Sequence, residues 1–194
     1  MTARPDTDTG TDETGAGCLA AHGHQPPDLD AGTLVAVYAG PVAAVLLHWG
    51  AELGYRTVLL EPDADQLDEA SRASAAEVVS SADALDLDAR TDVVVCDHHR
   101  DDLGPTMAPL VCDHPRWIGI MGNPHHEGPH VAALQAEGLA DDLIATVRRP
   151  IGLDIGSKAP AEIALSTLAE LVAHRHGRDG GLHPARRATT GADA

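Results

Sequence analysis

Two short stretches hold most of the side chains capable of chemistry. In VVVCDHHRDD, residues 93–102, Cys96, Asp97, His98 and His99 follow a run of valines. A second Cys-Asp-His triplet stands at Cys112, Asp113 and His114. Two Cys-x-His pairs invite a zinc reading, against which stands a buried Cys96 with polar loop histidines. The zinc reading is the poorer one, because structural zinc sites rest on Cys-x-x-Cys pairs, and no metal site is expected. Cys112 reads instead as the inward-packed end of a helix. If the strand continues, alternation puts Cys96 and His98 on one face and Asp97 and His99 on the other.

Other candidates lie where aliphatic runs end. VYAGPVAAV, residues 37–45, occupies the place of a dinucleotide turn, which needs Gly-x-Gly-x-x-Gly. Only Gly40 remains, with Tyr38 at the first glycine position and Ala43 at the third. Pro41 also removes an N–H from the helix start. Glu61 ends the next aliphatic run, at a spacing suited to ribose hydroxyls. In GNPHHEGPH, residues 122–130, Gly122 and Asn123 stand at a strand mouth, and His125, His126 and His130 read as a polar loop. In GLDIGS, residues 152–157, Gly152 and Gly156 flank Asp154 just ahead of a helix. Such a loop offers backbone amides and a carboxylate to a bound group. The candidate ligand-contacting residues are therefore Gly40, Glu61, Asp97, His98, Gly122, Asn123, Asp154 and Gly156. No catalytic residue is assigned.

The elements that must position them alternate. TLVAVYA (residues 33–39), RTVLLE, a short AEVVS, TDVVVCD and WIGIMG read as strands. Their near-continuous aliphatic character suits strands buried on both faces. Helical patterns fall at 41–53, 106–111, 130–137, 141–148 and 160–174. Val42, Val45, Leu46, Trp49 and Leu53 form the apolar stripe of the first, and Ile163, Leu165, Leu168 and Val172 that of the last. Strands alternating with helices predict a single-domain α/β fold: a doubly wound, Rossmann-like parallel sheet of five or six strands with helices on both faces. Ligands then bind at the carboxyl ends of the strands.

Composition bounds the rest. The 194 residues include no Phe, two Trp and two Tyr, so Val, Leu, Ile and Ala must fill the core. Net charge is −17 and Lys158 is the only lysine, which argues against nucleic acid or an anionic membrane as partner. No apolar run is long enough to span a bilayer and no signal pattern opens the chain, so a cytoplasmic protein with reduced cysteines is expected. Residues 1–30 and 178–194 read as disordered tails, the first acidic, around a domain at 31–177.

PIGLDIGSKAPAEIALSTLAELVA resembles the C-terminal signature of the XdhC/CoxI family, accessory proteins of xanthine dehydrogenase and related molybdenum hydroxylases. AGPVAAVLLHWGAELGYRTVLLE, VVVCDHH, RWIGIMG and LQAEGL follow the family in order and spacing over about residues 33–174. The resemblance implies a Rossmann-like domain. It also implies that the chain binds the molybdenum cofactor, aids its sulfuration and delivers it to an apo-hydroxylase, as a cofactor chaperone rather than a catalyst. The expected partners are then the hydroxylase large subunit and a cysteine desulfurase, with a homodimer as the assembly. The departures fall at the ligand-contacting motifs. Family members commonly carry Gly-Ala-Gly-His at Tyr38–Pro41, Thr-His-Asp-His at Asp97–Arg100 and a basic run at Pro124–His126. They often add an N-terminal cysteine-bearing domain, for which the residues ahead of the first strand leave no room. Two further readings stay open: an NAD(P)-binding oxidoreductase, and an interaction module that has lost its ligand.

Overall fold

The computed structural model describes residues 31–122, 128–156 and 158–181. Strands β1 (Gly32–Val37), β2 (Tyr55–Leu60), β3 (Glu77–Val79), β4 (Thr91–Val95) and β5 (Trp117–Ile120) form one parallel sheet in the order β3-β2-β1-β4-β5. Arg148 adds a bridge beyond β5: its N–H donates to Ile118 O and its O accepts from Ile120 N–H. The sheet thus carries five strands and a single residue in the place of a sixth. The strand order reverses direction between β1 and β4, the position at which doubly wound sheets open a ligand crevice.

The helices are α1 (Pro41–Glu52), α2 (Glu69–Ser74), α3 (Leu103–Cys112), α4 (Pro129–Ala136), α5 (Asp141–Ile144) and α6 (Pro160–Arg175). Strand alternation divides the core into two layers. Val35, Val37, Val58, Leu60, Val93 and Val95 pack with Met107 and Leu110 of α3, Leu134 of α4 and Ile144 of α5. Leu34, Ala36, Leu59 and Val94 face the other way, onto Leu46 and Leu47 of α1 and Leu168 and Leu171 of α6. Truncating one of these buried leucines to Ala costs about 2–5 kcal/mol.

Three expectations shift. The buried face of α1 is Ala43, Ala44, Leu46, Leu47 and Gly50, while Val42, Val45, Trp49 and Leu53 are only partly buried. Trp49 and Leu53 line the groove between α1 and α6, while Leu46 and Leu47, with Ala43, Ala44 and Gly50, are buried against the sheet layer. In α6, Ala164, Ser166, Thr167, Leu168 and Leu171 are buried and Leu165 is 53% exposed. The helical pattern expected over 141–148 stops at Ile144, because Thr146–Arg148 turns to meet β5.

Candidate ligand-binding edge

In a parallel sheet every residue that follows a strand reaches the same edge. Tyr38–Gly40, Glu61, Cys96–Arg100, Gly122 and Arg149 therefore share the carboxyl edge, the last because it follows the bridging Arg148. The turn after β1 keeps a glycine-like backbone without its glycine. Tyr38 has φ 72°, a conformation costing a non-glycine residue about 1–2 kcal/mol. Gly40 has φ 150°, and a Cβ there would meet nothing within 4 Å, so backbone conformation and not space selects glycine.

Glu61 dominates this half of the edge. It is 3% exposed, and its carboxylate accepts from Ala39 N–H at 2.8 Å and Asp63 N–H at 3.1 Å. Arg100 reaches it from the far side of β1, with Nη2–Oε1 at 2.8 Å and Nη1–Oε2 at 3.3 Å. The same guanidinium lies 4.4 Å from the Tyr38 ring centroid and 3.4 Å from Asp102 Oδ1. Burial opposes the Arg100 charge, and Glu61 outweighs it, so the guanidinium pKa lies above its ordinary value. Burial raises the Tyr38 phenol as well. Gly40 N–H donates to Ser71 Oγ at 3.0 Å, and Ser71 Oγ–H returns a bond to Gly40 O at 3.2 Å. Glu61, expected at ribose hydroxyls, is thus held by four protein donors. Neither Arg100 nor Ser71 is among the candidate contacts, since their partners lie 39 and 31 residues away.

After β4 the expected alternation fails, because the strand ends at Val95. His99 N–H donates to Asp97 Oδ1 at 2.8 Å, which turns the chain. The His98 and His99 rings then stand 4.1 Å apart, centroid to centroid, instead of on opposite faces. The Cys96 thiol donates to Val94 O at 3.6 Å, and burial pushes its pKa up to about 12, so it stays a thiol and not a nucleophile. Cys112 is exposed, not packed inward. It ends α3, which starts at the carboxyl edge and runs back toward the start of β5, so the two Cys-x-His pairs lie at opposite ends of the sheet.

Gly122 sits where expected, after β5, beside Arg149, which is not among the candidates. A Cβ at Gly122 would overlap the Arg149 guanidinium, and one at Gly128 would overlap both the Arg149 stem and the His130 ring. His130 is 6% exposed, and Nδ1 has no hydrogen-bond partner. Burial first and then Arg149 lower its pKa. His98 is lowered by burial, then His99, then Arg149, with Asp97 opposing weakly. Arg149 therefore sits within electrostatic reach of both imidazoles. Asn123, His125 and His126 lie outside the described residues. Asp154 and Gly156 are exposed, and the loop before them is tied to the flank of α6: Gly152 N–H donates to Glu170 Oε2 at 2.6 Å and Leu153 N–H to Ser166 O at 3.2 Å.

Among the described residues no group of three or more metal-ligating side chains converges, and no helix is long and apolar enough to cross a membrane. The family model described as the XdhC Rossmann domain matches residues 34–171. Among curated proteins, the uncharacterized protein YqeB of Escherichia coli (strain K12) is 24% identical over 186 residues, covering 89% of this chain and 33% of that protein. The chain thus spans a third of the length of this relative. Among solved structures, one described as a xanthine dehydrogenase from Bacillus halodurans has a TM-score of 0.61 and 23% identity, over 75% of this chain and 44% of that one. That likeness is one of fold.

Proposed function

The chain belongs to the XdhC Rossmann-domain family, and from that premise we propose that it serves a molybdenum hydroxylase as an accessory protein. In this reading it binds the molybdenum cofactor at the carboxyl edge, holds it through sulfuration or insertion, and passes it to the hydroxylase large subunit in the cytoplasm. The cofactor is cargo, and the chain itself performs no redox step. One observation supports this over a nicotinamide oxidoreductase. The first turn, where a dinucleotide places its pyrophosphate, has its donors committed within the protein: Ala39 N–H to Glu61 and Gly40 N–H to Ser71, with Pro41 lacking an N–H. Nor does this edge supply a Tyr–Lys acid–base pair, since Tyr38 is buried and Lys158 is exposed in the loop before α6.

The cofactor's phosphate and pterin need donors and a cavity that excludes water. The unpartnered His130 Nδ1, the Arg149 guanidinium and the His98 ring are groups of that kind. The test is binding of cofactor released anaerobically from a molybdoenzyme, together with activation of a co-expressed apo-hydroxylase. Both are expected. NAD and NADP at millimolar concentration should leave the melting temperature unchanged, whereas a ligand at about 100 times its Kd stabilises the native state by about 2.7 kcal/mol. A purified chain that neither binds cofactor nor raises hydroxylase activity would leave the interaction-module reading in its place.

A further inference from the structure

The carboxyl edge is chemically divided. On the β2–β1 side, Glu61 has brought a buried carboxylate to the turn where a phosphate would lie, and it holds the Ala39 amide and the Arg100 guanidinium. A phosphate arriving there meets negative charge and committed donors. On the β4–β5 side the side chains are basic. Arg149 extends from the end of the Arg148 bridge, and Gly122 and Gly128 leave the room its side chain occupies. His98 stands in the turn after β4, where the Asp97 carboxylate is engaged by His99 N–H. His130, in the first turn of α4, is buried with Nδ1 unpartnered beside Gly128. A buried ring nitrogen left without a partner is costly unless a ligand or water supplies one. The helix start adds its positive end, and no side chain caps it.

We propose that Arg149, His130 and His98 form an anion subsite for a phosphate monoester, at the ends of β4 and β5 rather than at the first turn. Arg149 supplies the charge, His130 a directed ring nitrogen inside the protein, and His98 a second ring on the solvent side. The subsite deepens the accessory reading and rests on it for the identity of the phosphate's owner, the pterin of the cofactor. It also reconciles an acidic protein with an anionic cargo, because the charge of the protein as a whole is not the charge of this corner.

The experiment uses the full chain, with histidine-ring and amide NMR signals followed while sodium phosphate replaces sodium chloride at constant ionic strength. The His98 and His130 ring signals should shift saturably, and the Gly40–Ala43 amides should stay in place. Arg149→Gln should weaken phosphate binding by about tenfold or more with the amide spectrum otherwise preserved. Should that variant unfold, His130→Gln reads the same contact. Shifts centred on Gly40, shifts that grow without saturating, or an affinity unmoved by both substitutions would overturn the subsite. Released molybdenum cofactor separates this from the accessory reading. Cofactor that binds wild type and Arg149→Gln equally sinks the subsite alone. Phosphate that binds here while the cofactor does not bind at all sinks the accessory reading and leaves the subsite.

Discussion

Two arginine–carboxylate–tyrosine clusters sit at opposite ends of the same sheet. At the amino edge, Asp92 is 1% exposed and accepts from Arg116 at 2.8 and 2.7 Å and from Tyr55 Oη at 2.7 Å. Arg116 also donates to Ala31 O, which ties the entry of β1 to β4 and β5. At the carboxyl edge, Glu61, Arg100 and Tyr38 repeat the composition with different wiring. Tyr38 stacks under Arg100 and makes no hydrogen bond through its hydroxyl, although Thr106 and Asp102 are near enough to perturb its ionisation. Glu61 spends its remaining capacity on backbone amides. The amino-edge cluster is a seam between strands. The carboxyl-edge cluster occupies ground that a ligand takes in nucleotide-binding members of this architecture. Like parts therefore do unlike work, and the difference lies in which donors the carboxylate has absorbed.

The largest test of that difference is a matched pair of isosteric neutralisations. Asp92→Asn removes the carboxylate that pairs with Arg116, and should cost about 3 kcal/mol or more in urea unfolding. Glu61→Gln should cost less, about 1–2 kcal/mol, because Arg100 keeps Asp102 and the amide oxygen still accepts from a backbone N–H. Equal costs would mean that the two clusters are both seams. The next effect is smaller. Tyr55→Phe removes a hydrogen bond to a buried carboxylate and should cost about 1.5–3 kcal/mol, whereas Tyr38→Phe removes an unpartnered hydroxyl and should stay within about 0.5 kcal/mol. A Tyr38→Phe loss as large as that at Tyr55 would show that the carboxyl-edge hydroxyl is bonded after all.

How much of this was visible beforehand follows from what each feature depends on. The strands were legible because a parallel strand covered on both faces must be aliphatic throughout, as in Val93–Val95. Helix α2 is not legible because Glu69–Ser74 has no apolar stripe, and its signal is Asp68, which caps Ser71 N–H. In α1 and α6 periodicity fixes only that a face is apolar and not which neighbour it meets, so the residues against the sheet are not the ones that mark the stripe. At the site, Gly40, Glu61, Asp97, His98 and Gly122 were legible as strand-end residues. Arg100 and Arg149 were not, because one depends on β1 lying between β2 and β4, and the other on a bridge to β5. The local signal for that bridge was Thr146-Val147 shortly before Pro150, a poor continuation for a helix.

The smallest expected effect is a pH slope, and it separates the two ends of the molecule by what titrates there. His130 has its folded-state pKa lowered, by burial first and by Arg149 second, and His98 is lowered by burial, His99 and Arg149 against the pull of Asp97. In the unfolded chain both imidazoles titrate at about 6.5. Above that value neither state is protonated, and the full stability is present. As pH falls below it, the unfolded state takes up protons that the folded state refuses, so stability drops until the folded-state values are reached. His130→Gln should flatten that decline, and the same substitution at exposed His48 serves as the control. Phosphate gives the sharper version. An anion beside the rings makes their protonation less costly in the folded state, so the slope between pH 7 and 5 should shrink in phosphate relative to chloride at equal ionic strength. Because Arg149 lies within electrostatic reach of both rings, Arg149→Gln should shrink the slope on its own and abolish the difference between the two anions. A slope that ignores both phosphate and Arg149 would mean that the imidazoles and the guanidinium do not share one pocket.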